Sequence, residues 1–374
     1  MPSLSLRRLA VASLFLALLI PDLARAQSGD DFYKGKQVKF VIGSAPGGGY
    51  DTYGRLLAEF LSRHLPGHPT LVPQNMPGAS GIRSANFLYE VAPRDGTVIG
   101  TFNQSMPQRQ VLKRSGVRFD ANKFNWIGAM NRAATIFIVW HERGIRTLED
   151  AKKQQVIMGA LSASGGNALF PQLVNSQLGT RFKVVTGYVG TGTILLAMER
   201  GEVHGLGSMN WNSMTSRKAD WLRDRKVDII LQIGMQKEPE IGNVPLLIDL
   251  AKTPEQRKLF ELVSADTQMN WPVVAPPGLP AARVALLRKV FDETMQDPAL
   301  KAEAKRRGMD VSAPTSGKDV QKLVAGMLDT PDSVIQAYET SIRADYTVRC
   351  RDFTDASRCA SESKKKKKKK KKAE

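Results

Sequence analysis

From Lys36 onward the chain alternates short apolar runs with longer amphipathic ones. QVKFVIG (37–43) predicts a strand. Residues 51–64 predict a helix, because Tyr53, Leu56, Leu57, Phe60 and Leu61 recur at spacings of three and four. TLVPQN (70–75) predicts a second strand, 81–90 a second helix, and GTVIGTF (96–102) a third strand. Strands separated by single helices imply parallel pairing in an α/β layer. The rhythm then resumes. AATIFIVW (133–140) reads as a buried strand, and TLEDAKK (147–153) as a helix opening on a threonine cap. VIMGAL (156–161), FKVVTG (182–187), VHGLG (203–207) and VDIILQIG (227–234) read as strands, with helices at 168–178 and 193–200. After WPVVA (271–275) and PPGLP (276–280), helices are expected at 281–295, 298–307 and 317–328.

Two α/β sets of similar size followed by a helical tail suggest two lobes with a cleft between them. A chain of 374 residues also exceeds what one core usually serves. The expected division is 27–132 plus 271–345 for the first lobe and 133–270 for the second, with a tail at 346–374.

The ends change the picture. Arg7 and Arg8 precede a run from Leu9 to Ile20 that is apolar except for Ser13; Pro21 closes it, and Ala24-Arg25-Ala26 follows. These parts read as a secretory signal peptide, residues 1–26, cut after Ala26. The run is too short to span a bilayer. At the other end, the nine lysines of 364–372 supply half of the formal charge of +18. A lysine homopolymer repels itself and buries nothing, so this tail is expected to be disordered and is set aside from the fold. The remaining body is mildly basic. That suits an anionic ligand and gives little support to nucleic-acid binding. The two cysteines, Cys350 and Cys359, could pair in an exported protein, but their spacing does not decide it.

The candidate chemistry lies in glycine-rich loops. SAPGGGYD (44–51) joins the first strand to the first helix, and NMPGASG (75–81) joins the second strand to the second helix. In the later set LSASGGNA (161–168) and GYVGTGT (187–193) repeat the arrangement, with Tyr188 and Thr191 as polar handles. A helix N-terminus carries unpaired N–H groups and a positive dipole end, which favour an anion. Parallel sheets bind ligands at their carboxyl edges, where such loops lie. Taken singly, each loop is explained as a tight connection; their occurrence in both halves points to an anion-holding cleft.

Other chemistries fail on details. No Lys-Ser or Lys-Thr follows the glycines, as a P-loop needs, and Thr52 stands where a dinucleotide fingerprint needs its third glycine. His64 and His68 are separated by Leu-Pro-Gly, which breaks any helix that would align them as metal ligands, and His141 and His204 lack companions nearby. There is no G-x-S-x-G elbow. Asp51 reads as an N-cap rather than as a general base. Arg55, one turn on, reads as a solvated or ion-paired side chain.

At this point VIGSAPGGGYDTYGR (41–55) resembles the signature of the periplasmic receptors of tripartite tricarboxylate transporters, with Asp51 and Arg55 at the matching positions. NMPGASG, APRDGTVIG (92–100), GYVGTGTILLAMERGEVHG (187–205) and WPVVAPPGLPAARVALL (271–287) are similar to further elements of that family. The resemblance implies an α/β, type II periplasmic-binding-protein fold, two α/β lobes with a hinged interlobe cleft around a small carboxylated ligand. Carried onto this sequence, it implies first-lobe contacts from Ser44, Ala45, Gly47, Gly48, Asp51, Gly78, Ala79 and Ser80. It implies second-lobe contacts from Ser162, Ser164, Gly165, Tyr188, Gly190 and Thr191. Three departures stand out: Ser44 where many members carry an aromatic residue, Gly187 where many carry proline, and SMNW (208–211) in place of an acidic turn. Citrate therefore does not follow from the family name. The expected function is that of an exported, periplasmic, monomeric solute-binding receptor. It would capture a small organic anion for membrane transporter subunits, with no cofactor, no metal and no nucleic acid. Two alternatives stay open: a ligand-sensing receptor for a two-component sensor, and an exported hydrolase or transferase on the same fold.

Overall fold

The computed structural model describes residues 32–342 and 347–349, apart from Gly48, Ser164 and Val189; for Ser80, Arg217 and 347–349 it describes the backbone alone. The expected signal peptide, Cys350, Cys359 and the lysine run lie outside the described residues.

The first half opens β1 (Gln37–Ile42), α1 (Gly49–His64), β2 (Thr70–Asn75), α2 (Ile82–Glu90) and β3 (Val98–Thr101), then reaches β4 (Asn125–Asn131). The chain crosses to β5 (Thr135–Trp140) and continues through β6 (Val156–Ala160), α3 (Gly166–Leu178), β7 (Phe182–Thr186), α4 (Thr191–Glu199), β8 (Gly205–Asn210) and β9 (Val227–Ile233). It returns through α5 (Pro254–Ser264), β10 (Asn270–Ala275), α6 (Ala281–Gln296), β11 (Thr315–Ser316), α7 (Gly317–Leu328), α8 (Asp332–Ser341) and β12 (Thr347–Arg349). Two six-stranded sheets result. Their orders are β11-β4-β10-β3-β1-β2 and β12-β7-β6-β8-β5-β9.

The expected parallel pairings form: β1 lies between β2 and β3, and β6 pairs with β7. Parallel strands covered on both faces read as unbroken apolar runs. In β1, accordingly, Val38, Phe40, Val41 and Ile42 are all fully buried. One face of the first sheet packs on Leu56, Leu57, Phe60 and Leu61 of α1 and on Val284, Leu287, Val290 and Phe291 of α6. A second core runs from Leu88, Phe102 and Trp126 to Phe137, Met158 and Phe182 of the second sheet, through Phe260 of α5 and Tyr338 of α8.

Strand β4 has a weak signature, and the reason is packing. A Cβ on Gly128 would stand 2.1 Å from the Phe291 ring, so the strand gives up a side chain to admit that ring. At the chain's end β12 pairs in parallel with β7, so this part of the 346–374 tail adds a strand to the second sheet.

Candidate ligand-binding site

Strand register sets the positions of the loops. Ile42 stands opposite both Asn75 and Thr101, so β1, β2 and β3 end level. Ala160 stands opposite Thr186, so β6 and β7 do the same. Strand β4 is antiparallel to β10, which is antiparallel to β3. It therefore runs with β1–β3 and ends, at Asn131, on their carboxyl edge. Strand β5 is antiparallel to β8, which is parallel to β6, and Thr135 pairs with Asn210. The second sheet is thus entered at its own carboxyl edge. Residues 132–134 make the short first crossing between the two edges, and the longer return from β9 to β10 runs between the same edges. The first crossing is fixed by bonds from the Ala133 N–H to the Thr267 carbonyl (3.2 Å) and from the Trp211 N–H to the Ala134 carbonyl (2.9 Å). Both pairs of glycine loops therefore sit on the edges that meet this crossover.

In the first lobe a buried carboxylate organises the loops. Oδ2 of Asp51 accepts the Gly47 N–H (2.9 Å), and Oδ1 accepts from Asn75 Nδ2 (2.8 Å) and Arg55 Nε (2.9 Å). Asn75 also donates to the Ser44 carbonyl (3.0 Å) and accepts from Arg55 Nη2 (2.8 Å). Burial works to raise the Asp51 carboxyl. The hydrogen bonds from Gly47, Asn75 and Arg55, with the Arg55 charge, outweigh it and hold the group below the usual carboxylate range. Because α1 begins at Gly49, Asp51 lies inside its first turn and not at the N-cap that the sequence suggested. From there it reaches back and ties the first loop to the end of β2.

The second loop winds through Gly78 (φ +147°), Ala79 (φ +46°) and Gly81 (φ +100°), with the Gly81 N–H on the Gly78 carbonyl (3.0 Å). A non-glycine residue at positive φ is uncommon and marks a strained loop. Behind it, Ser84 donates to the Gly81 carbonyl (2.8 Å), and its Oγ occupies the space that a Cβ on Gly43 would need. Tyr50 meets Gln104, which donates to Asn270 Oδ1 (2.7 Å), while Tyr53 stacks on Trp271 with ring centroids 3.5 Å apart. The first turns of α1 are therefore anchored to β10. Sequence reasoning left Asn75, Gln104, Asn270 and Trp271 out of the site, since no local pattern joins positions so far apart in the chain.

In the second lobe the N–H groups of Gly187 and Tyr188 share the Ala160 carbonyl (3.0 and 3.3 Å), tying one loop to the other. Thr193 Oγ1 donates to the Gly190 carbonyl (2.7 Å). Ser162 is exposed, and Gly165, Gly190 and Thr191 are half-buried. Tyr188, expected as a polar handle, has its ring buried in the core with Val185, Ile194, Leu195 and Met198. Of the expected contacts, the structure brings Ser44, Ala45, Gly47, Gly78 and Ala79 to one edge, and Ser162, Gly165, Gly190 and Thr191 to the other. Gly48, Ser164 and the Ser80 side chain lie outside what is described.

Among the glycines of these loops, Gly190, the N-cap of α4, and Gly192 have open space around them. Gly47, Gly78, Gly81 and Gly187 need their positive φ. Gly190 is extended, at φ −171°, and a Cβ at Gly190 or Gly192 would meet nothing within 4 Å. Three well-formed cavities lie away from these loops. One, of ≈ 430 Å³, sits at the crossover among Arg132, Trp211, Glu238 and Asp310. His64 pairs with Asp297 (3.0 Å), and His204 Nδ1 accepts the Ile157 N–H (3.2 Å), so both have structural partners.

A sequence model of the tripartite tricarboxylate transporter family receptor matches residues 54–340. The chain belongs to this receptor family. A UPF0065 protein of Bordetella bronchiseptica is 23% identical to the receptor over 303 residues, covering 79% of this chain and 82% of that one. The UPF0065 protein of the Agrobacterium vitis TAR-I ttuE-ttuC' intergenic region is 26% identical over 321 residues, covering 81% and 90%. Among solved structures, a ligand-free TctC solute-binding protein from Polaromonas matches with a TM-score of 0.63 at 18% identity, over 83% of the receptor and 99% of that chain. R. palustris Rpa4515 with adipate matches at 0.56 and 18%, over 82% and 98%. MatC from Rhodopseudomonas palustris with bound malate matches at 0.54 and 19%, over 83% and 99%. The receptor thus has the two-lobed fold of these solute-binding proteins. Among the described residues no helix is long and apolar enough to cross a membrane.

Proposed function

We propose that this receptor is exported to the periplasm, closes its two lobes on a small carboxylate-bearing organic anion, and delivers it to the membrane subunits of a tripartite tricarboxylate-type transporter. The observation that carries the proposal is the placement of glycine loops and helix N-termini on both carboxyl edges where the chain crosses between sheets. Exposed amides at Gly78 and Ala79 would take a carboxylate from one side, on a loop edge held in shape by the Gly47–Asp51 bond. Ser162 and the loop at 190–192 would approach from the other. Gly190, extended at the N-cap of α4, and Gly192, in its first turn, support this reading, because the open space around them leaves room for an incoming ligand. The adipate and malate bound by two structural neighbours set the chemical class to be screened. Closure then gives selectivity, since a ligand that touches both lobes favours the shut state.

The test is a thermal-shift screen of the monomeric protein against di- and tricarboxylates, aromatic acids and amino acids. A native-state ligand at a hundred times its Kd stabilises by about 2.7 kcal/mol, so a dose-dependent Tm rise with one or more carboxylates is expected. A flat response across all the acids would overturn the proposal.

A further inference from the structure

The four loop segments that would hold the ligand contain very little charge. Residues 43–51, 75–83, 161–168 and 187–193 include two ionisable side chains of formal charge at neutral pH, Asp51 and Arg83. Asp51 is ion-paired with Arg55 at 2.9 Å, so that pair contributes no net charge. Arg83 is different. It is exposed, and its side chain has no hydrogen-bond or ion-pair partner among the described residues. It is the second residue of α2, and helical side chains lean toward the helix N-terminus. Its position bears this out: Cβ and Cδ each stand 3.2 Å from where a Cβ on Gly78 would be. The aliphatic stem thus lies across Gly78, in the second loop. Any side chain at position 78 would displace it.

We infer that Arg83 is the charge-selecting residue of the binding site: where loop amides hold one acidic group of the ligand, this guanidinium holds the second. The inference rests on the receptor reading above and names the side chain that would read the second acidic group. Amides and helix ends offer only partial charges, which suffice for one carboxylate. A second carboxylate entering the same closing cleft needs a full countercharge, or its desolvation goes uncompensated. A guanidinium supplies that charge with two parallel N–H donors, in a geometry that an ammonium does not reproduce.

The test measures binding of straight-chain dicarboxylates of about four to eight carbons by calorimetry, each against the monocarboxylate of equal length. The carbon range spans the small acids that a cleft of this kind admits. Wild type, Arg83→Gln and Arg83→Lys are compared, with thermal melts to verify folding. At the best length the wild type is expected to favour the dicarboxylate by about tenfold or more, the ratio that a charge-assisted hydrogen bond confers. Arg83→Gln should bring that ratio close to one by weakening dicarboxylate binding far more than monocarboxylate binding, and Arg83→Lys should retain part of the preference. An undiminished dicarboxylate preference in Arg83→Gln, or a wild type that binds both classes equally, would overturn the assignment while leaving the receptor reading intact. Failure of the wild type to bind any acid of either class would overturn the receptor reading, and the role of Arg83 with it.

Discussion

Gly190 gives the sharpest test at the scale of single residues. Its backbone is extended, and a methyl group there meets nothing within 4 Å. Gly190→Ala should therefore lower Tm by no more than about 2 °C, since alanine is the poorer N-cap of α4 but restricts the unfolded chain. The same substitution should weaken carboxylate binding, measured by calorimetry, by about tenfold if the ligand approaches that backbone. Asp51 should behave in the opposite way. Asp51→Ala removes the acceptor of Gly47, Asn75 and Arg55. It should cost about 1–3 kcal/mol in chemical denaturation, reduced from a fully buried pair because Arg55 is half exposed. Since the Asp51 carboxyl is depressed in the fold, its contribution is present above the unfolded carboxylate range and is lost as pH falls through its folded value. Asp266 has the reverse sign. It sits in the turn between α5 and β10, and burial pushes its carboxyl up to about 7. The fold therefore favours the protonated form. The stability from this group is full below the unfolded value near 3.8 and disappears as pH rises through about 7. Asp266→Asn should accordingly raise Tm by about 2–4 °C at pH 8 and leave it unchanged at pH 4.

At the scale of elements, the parts with a single period were legible and the parts stabilised by distant packing were not. α1, β2 and α7 announce themselves through apolar spacing. Thr147 was recognisable as a cap, and its side chain does accept the Asp150 N–H in a capping box. The glycine loops were legible because they follow apolar runs. Strand β4 was hidden because Gly128 yields to Phe291, a residue far along the chain. The hub around Asp51 was half visible: Asp51 and Arg55 are one helical turn apart, but Asn75 enters through the β1–β2 register. Arg83 was overlooked because an arginine in the first turn of a helix carries no local signal; its position over Gly78 depends on the left-handed turn beneath it. Strand β12 belongs to the tail and lies beyond the segment matched to the family. Its pairing protects β7 as the strand that leads into the 187–190 loop. A chain ending at Ile342 should lose about 2–4 °C in Tm and show faster amide exchange in β7, relative to a chain lacking only residues 364–374. Equal behaviour of the two would mean that β12 contributes nothing.

At the scale of the whole molecule, the topology unites these details. Each sheet ends its parallel strands on the edge where the chain crosses over, so two sets of exposed amides border one interlobe space. The helices α5 and α8 belong to an apolar cluster that also holds residues of both sheets, and the 132–134 crossover is short, which suits a hinge with limited travel. Ligand capture between the two edges is tested by hydrogen–deuterium exchange of the full chain, read by mass spectrometry, with and without a saturating dicarboxylate. Slowed exchange is expected in four segments at once, 44–49, 77–82, 162–166 and 187–193, split between the two lobes. Protection confined to one lobe, or centred instead on the cavity lined by Arg132, Glu238 and Asp310, would contradict it.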